Sequence, residues 1–322
     1  MANYKHTEIF RQGVPHWNHW RSDDPETKPN LSEANLIEAD LRQANLKQAD
    51  LRKADLRKAD LSQADLVKAD LRNANMRGAK LAEADLRGAN LNGATFIAAD
   101  LRKANLSGAN LRRANLSEAD LYEADLKHSN LSEAIAKKAS FLSADLKEAN
   151  CRGANFSDAS LITVNLMKTD LSLSTITGSK LYKSMRDNWK IDGIKCDYVY
   201  WGKSEKKRTP LKGNYKPGEF EILYRELPVI ELYFKKGFSP INFLLVNQVV
   251  NAINQKNPEF ELSLDSIIFR GMPRAAFSVL HREFCEPALA LIKTQYQAQI
   301  ETIEKKYDTI PERYQYVESS LD

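Results

Sequence analysis

Between Leu31 and Met185 an apolar residue returns at every fifth position without a slip, and that period excludes most folds before composition is considered. The stretch opens LSEAN LIEAD LRQAN LKQAD LRKAD LRKAD. Leucine marks each repeat, replaced at places by Met76, Phe96, Phe141, Cys151 or Phe156. Alanine stands two places before each of these positions, from Ala34 to Ala159, with Ser129 as the exception. Asp or Asn dominates the place between, as at Asn35, Asp40, Asn45 and Asp50, and the other two places are polar and free to vary. An α-helix returns its apolar face at about 3.6 residues, a coiled coil at about 3.5 and a strand at about 2, so none of them fits. Five residues are enough for one short extended side and one corner. Four such sides close a coil, and stacked coils join through parallel backbone hydrogen bonds at a spacing of about 4.8 Å. In this reading the leucines and alanines point inward. Alanine sits where corner geometry leaves little room, and Asp or Asn sits at the turn, bonding nearby backbone.

The A(D/N)LXX pattern resembles the pentapeptide-repeat family, and the resemblance covers about half of the chain. It implies a mainly β protein built on a right-handed quadrilateral β-helix, with a helical N-terminal cap and a smaller C-terminal α+β domain that ends in a long helix. The domains expected are 1–30 (cap and lead-in turn), 31–189 (repeats) and 190–322 (α+β). A stacked tube exposes unpaired backbone at its two ends, so those ends require covering.

At the start, Ile9, Phe10, Val14, Trp17 and Trp20 recur near helical spacing, and Pro15 predicts a bend or two short helices. Phe10, Trp17 and Trp20 are the expected cap residues, and the resemblance supports this through the segment Trp17-Asn18-His19-Trp20-Arg21. His16 and His19 lack a third ligand nearby, so they carry no metal site. Ser22 to Asn30 is a turn-rich lead-in. At the far end alanine gives way to Val164, Thr169, Ser174, Ser179 and Ser184, a decay of the repeat, and Trp189 is the expected C-terminal cap. Beyond it the sequence predicts a strand at 198–201, a loop at 203–218, helices at 219–227 and 240–255, a hairpin joining 259–269 to 274–283, and a last helix over 287–308. Leu289, Ile292, Tyr296 and Ile303 form a stripe on that helix, packed on its own domain or on a second copy.

Outward positions one coil apart, twenty residues, form columns. Arg52, Arg72 and Arg112, with Lys53, Arg57, Arg77 and Arg113 beside them, make a basic patch on the first half of the rod. Nucleic acid is disfavoured as its partner because no aromatic residues interleave with these cations, and a solvated face with neighbouring carboxylates is the favoured reading. A second column changes character midway: Arg42, Ser62, Ala82 and Arg102 give way to Tyr122, Leu142, Ile162 and Tyr182. Four large apolar side chains stacked on a surface call for a covering, either the following domain or another protein.

The formal net charge is +4 and 28% of residues are charged. No apolar run follows a basic start and none is long enough to span a membrane. The three cysteines, Cys151, Cys196 and Cys285, support no disulfide framework. Together these predict a cytoplasmic protein without a cofactor. No GxxxxGK, HExxH, paired CxxC or ordered Ser-His-Asp set is present. Asp265, Arg270, His281 and Glu283 could converge across the hairpin, but the wet face of a strand explains them equally. The chain therefore reads as non-enzymatic. The resemblance implies a scaffold or regulatory adaptor of the cyanobacterial type, acting on a protein partner or a second copy. Two alternatives are a DNA mimic, as in pentapeptide proteins that inhibit type II topoisomerases, and a sensor or enzyme confined to residues 190–322. The mimic requires a strongly acidic rod, and this one is near neutral.

Overall fold

The computed structural model describes residues 2–186, 188–202, 208–225, 229–234, 240–257, 260, 262–268, 273–279 and 284–307. The chain divides into two compact units, Met1–Arg225 and Glu226–Asp322.

In the first unit each residue at the Asp/Asn place pairs in parallel with the residue twenty positions on, from Asn30↔Asp50 to Lys180↔Tyr200. The chain is thus a stacked coil with four repeats per turn, a repeat β-helix. The repeat Leu51–Asp55 shows where the backbone hydrogen bonds go. The Leu51 and Lys53 N–H groups donate forward to Asp70 O (2.7 Å) and Arg72 O (2.9 Å), and Asp55 N–H donates back to Ala34 O (2.9 Å). Ala54 N–H closes a turn on Leu51 O (3.0 Å). The fifth donor, Arg52 N–H, goes to the Asp50 side chain at 3.1 Å.

This pattern corrects the expected geometry of the corner. The chain turns at the two variable residues, not at Asp or Asn. The second of them has positive φ in every repeat from Glu33 to Gly193, as in a type II turn. Asp and Asn lie in the paired segment instead. They recur because one N–H in each repeat has no backbone carbonyl to meet, and a short side-chain acceptor two residues earlier reaches it. The same interaction appears at Asn45, Asp60, Asp85, Asn115 and Asn150. Where arginine follows, its guanidinium closes on the same carboxylate, as in Arg42–Asp40, Arg52–Asp50, Arg87–Asp85 and Arg102–Asp100 at 2.6–2.7 Å.

The leucine and alanine places fill the tube, each within about one per cent of full burial from Leu41 to Leu126. The changes after Val164 are not a decay. Thr169 and Ser179 are buried, and their hydroxyls donate to the carbonyls of Leu146 and Phe156 at 2.8 Å. The repeat also runs past Met185 and the expected boundary at 189. Ile191 and Cys196 hold the leucine place, and Trp189, Ile194 and Val199 hold the alanine place, all buried. Large side chains where alanine stood fill the tube from within and end it.

Both ends of the coil stack meet aromatic segments. Helices α1 (Tyr4–Arg11) and α2 (Val14–Asp23) are separated at Gly13, whose φ of 96° suits glycine, and Pro15 lies in the first turn of α2. Trp17 is fully buried, and its Nε1–H donates to Asn45 O at 2.8 Å. Asn18 donates to Gln43 O (2.9 Å) and accepts from Asn45 N–H (2.8 Å). The Arg21 guanidinium reaches Lys47 O, Asn3 N–H donates to Asn30 O, and His6 Nδ1 accepts from Asn30 N–H. Apart from that to Gln43 O, these contacts occupy edge groups that a preceding coil would otherwise hold. Phe10 and Trp20 pack on Trp17, with ring centres 4.7 and 5.0 Å away. At the other end β1 (Val199–Tyr200) pairs antiparallel with β2 (Arg208–Thr209), followed by α3 (Glu219–Tyr224). Trp189 Nε1–H donates to Tyr224 O at 2.9 Å, and its ring meets Phe220 edge-on. Residues 190–225 therefore belong with the repeats, a correction to the expected boundary, because their aromatic side chains pack on the last coil.

The second unit holds a three-stranded antiparallel sheet of order β3-β5-β4 (Val229–Tyr233, Arg274–Ser278, Ser263–Ile268) with helices α4 (Pro240–Lys256) and α5 (Cys285–Tyr307). Its core joins Leu232 and Phe277 of the sheet to Val246, Val249 and Ile253 of α4 and Ile292 of α5. Asn254 ties α4 to the chain before β4, accepting from Leu262 N–H (2.9 Å) and donating to Leu262 O (2.8 Å).

Two outcomes follow from this hydrogen bonding. Asn115→Ala, which removes the acceptor for Ser117 N–H, is expected to cost about 1 kcal/mol in urea unfolding, while Ile135→Asn, which supplies one where isoleucine has none, should add about 0.5 kcal/mol. The Arg102, Arg87 and Arg52 side chains hydrogen-bond Asp100, Asp85 and Asp50 and hold those carboxyls below the usual range, while Arg42 brings Asp40 to about 2. Lowered folded-state values stabilise the fold above the unfolded value of about 3.9, and that stabilisation disappears as pH falls through them. The thermal midpoint of the β signal should therefore be flat from about pH 7 to about pH 4.5 and drop between about pH 4 and pH 2. A decline already complete at about pH 5 would contradict this assignment.

Candidate functional site

Because coils stack in register, outward residues twenty apart form straight columns about 4.8 Å per step. In most columns charge is matched locally. Five of the seven basic-patch residues pair at close range: Arg52, Arg57 and Arg72 with Asp50, Asp55 and Asp70, and both Arg112 and Arg113 with Glu133, all at 2.6–2.7 Å. Lys53 faces Glu33 at 3.8 Å. Arg77 follows Asn75, whose side chain accepts from its N–H. A shallow groove beside Lys28, Arg52, Lys68 and Arg72 includes Asp50 and Asp70 as well. This face is an ion-paired surface, in keeping with the reading that its charges are solvated among carboxylates.

The column Tyr122, Leu142, Ile162, Tyr182 is different. All four side chains are half-buried. Two columns flank it, Asp120, Ser140, Ser160, Lys180 on one side and Glu123, Ser143, Thr163, Lys183 on the other. Around Leu142 and Ile162 the flanks are therefore hydroxyls, whereas the same columns earlier in the rod carry Asp60, Lys80 and Asp100, and Glu83 and Lys103. An apolar centre with its charges removed is the composition of an interface core, with a charged rim. Thr163, a β-branched residue, is held at φ 55°, its hydroxyl donating to Ile162 O (2.7 Å) and paired with Ser143 Oγ (2.9 Å). The charged ends are also ordered. The Tyr122 hydroxyl bonds Glu123, which pushes its pKa up, and Lys183 Nζ lies 5.6 Å from the centre of the Tyr182 ring. Sequence reading found the apolar column but not its neutral flanks. They were legible from the same twenty-residue spacing; the strained Thr163 was not.

The remaining predicted positions fall as follows. Leu289, Ile292 and Tyr296 pack on the core of the second unit, and the Ile303 side chain lies outside the described residues. So do Arg270, His281 and Glu283 and the side chain of Asp265. Among the described residues no cluster of His, Cys, Asp or Glu could hold a metal ion. Burial pushes the Cys151 and Cys196 thiols well above the usual range, so both are poor nucleophiles. No helix among the described residues is long and apolar enough to cross a membrane.

Comparison with known proteins agrees with this architecture. A model of pentapeptide repeats matches in eight copies over residues 30–66, 54–93, 69–108, 99–135 and 144–181. Among solved structures, the chain is similar to HetL, a pentapeptide repeat protein involved in heterocyst differentiation regulation in the cyanobacterium Nostoc. Identity is 27%, over 55% of this chain and 93% of that one, with a TM-score of 0.30. It is also similar to Rfr23 from the cyanobacterium Cyanothece (35% identity, 30% and 64% coverage, TM-score 0.23). A third is a pentapeptide repeat protein of the Arabidopsis thaliana thylakoid lumen (29% identity, 31% and 70% coverage, TM-score 0.31). A search of curated proteins finds no match. On its repeats and on the coil they build, the stretch from residue 30 to residue 181 is a run of pentapeptide repeats.

Proposed function

We propose that this chain is a non-enzymatic interaction scaffold whose binding surface is the apolar column Tyr122, Leu142, Ile162, Tyr182. One observation carries the reading: in a rod where most arginines are paired with carboxylates, charge is withdrawn from the columns beside Leu142 and Ile162. A stacked coil is suited to this role. Three of the five backbone donors in each repeat are committed to neighbouring coils, so it holds side chains in fixed columns without rearranging. Here α1 and α2 act as the N-terminal cap and α3 with Trp189 as the C-terminal cap, keeping the ends from adding to other coils. The second unit, a small α+β domain, serves in docking or oligomerisation. The involvement of HetL in regulation is compatible with a scaffold and says nothing of the partner. DNA mimicry would call for unpaired carboxylates, and Asp40, Asp50, Asp55, Asp70, Asp85 and Asp100 each pair with an arginine of the next repeat.

Replacing Leu142 and Ile162 together by serine removes the apolar centre while keeping a side chain that the neighbouring columns already carry. Tagged wild type, tagged double variant and a tagged Arg57→Ser control would be compared by quantitative capture from native extract, each first shown to unfold at a similar temperature. The expected outcome is at least a tenfold loss, about 1.4 kcal/mol, of one or more partners (an untagged copy of the chain included) with the double variant and none with the control. Equal capture by all three would overturn the proposal.

A further inference from the structure

The columns on either side of the apolar one are ordered in a way that a generic protein partner does not explain. Taken from the N-terminal side they run Asp120, Ser140, Ser160, Lys180, then Tyr122, Leu142, Ile162, Tyr182, then Glu123, Ser143, Thr163, Lys183. Each reads as its own complement when reversed. An acid at one end matches a base at the other, hydroxyl matches hydroxyl, Leu matches Ile and Tyr matches Tyr. Two surfaces brought face to face by a two-fold axis that lies in the interface and crosses the rods put each column against itself reversed.

We infer that this face binds a second copy of the chain, with the two rods antiparallel and the axis passing between Leu142 and Ile162. The inference rests on the column being the binding surface and goes further by naming its occupant. Across this axis Leu142 meets the second copy's Ile162 and Tyr122 meets its Tyr182. Asp120 faces Lys180, Glu123 faces Lys183, and Ser143 faces Thr163, each from the other copy. The next column outward, with Lys138 and Asp158, also sets opposite charges against each other. Other registers lose this match. Parallel rods about the apolar column bring Asp120 against Glu123 and Lys180 against Lys183, four like-charged meetings. Shifting the antiparallel axis by half a coil step, onto Leu142, sets Lys103 against Lys183. Like charges directly opposed disfavour the wrong pairing, and opposite charges at the rim fix the register more than they add affinity.

Glu123 and Lys183 are both exposed, at places where other repeats carry either charge, and the contact of Glu123 with Lys103 one coil earlier, 3.8 Å long and exposed, contributes little, so reversing either charge leaves the coil intact. Light scattering on the purified full chain should give twice the 36.5 kDa chain mass for wild type. Lys183→Glu alone sets two pairs of carboxylates face to face, and Glu123→Lys alone sets two pairs of ammonium groups. Each should raise the dimer dissociation constant by about tenfold or more and move the mass toward one chain. An equimolar mixture of the two variants re-creates both opposite pairs and should return to the doubled mass. A wild type that remains a single chain when concentrated overturns the inference. So does a dimer indifferent to both reversals, or a mixture that does not recover. None of these results bears on whether the Leu142 and Ile162 serine variant loses another partner from extract, so the two readings fail separately.

Discussion

Coil-to-coil backbone hydrogen bonding, renewed three times in every five residues, is the interaction on which the first unit depends. It requires one residue per repeat in the left-handed region, a conformation that costs a residue with a Cβ roughly 1–2 kcal/mol. Twenty-six such residues accept it, and only seven of these places are glycine. The N–H of that same residue is one of the three that reach the next coil, as Lys53 N–H reaches Arg72 O. The unfavourable torsion and the favourable bond belong to one residue, so the tube tolerates Glu, Lys, Gln or Ser there and leaves the outer surface open to variation.

The regularity that closes the tube also organises its outside. A fixed step along the axis places each outward residue over its counterpart one coil away, so a run of like charges would repel at close range. The chain meets this at six arginines by pairing each with the Asp two places before it, a contact already prepared by the side-chain acceptor that the backbone needs. Asp thereby serves the fold and the surface together. Against such a background a column of four apolar residues, the middle two flanked by hydroxyls, stands out physically, since nothing in the folding of the coil calls for it.

Termination is handled by size and by aromatic contact. Alanine permits a further coil; Trp189, Ile194 and Val199 in its place fill the space that another coil would need. At the opposite end Trp17, Asn18 and Arg21 of one helix satisfy carbonyls and an N–H of a coil that has no predecessor. The second unit uses ordinary means, an antiparallel sheet with β3 and β4 on either side of β5 and two helices covering its apolar residues.

The five-residue period by itself determined the inward columns; the coil of four repeats came with the resemblance to the pentapeptide-repeat family, and once it was given the apolar stripe could be placed, because a solenoid turns sequence spacing directly into spatial stacking. It did not determine which residues make the corner: Asp and Asn favour turns in general, and only the tertiary hydrogen bonds showed them serving the paired segment instead. Nor did it place the end of the first unit, since Trp189 and Ile194 depart from the small residue expected and look like another domain until their burial in the last coil is seen. The neutralisation of Arg112 and Arg113 by one glutamate likewise depended on side chains from adjacent coils meeting across the stack, a contact that composition along the chain does not contain.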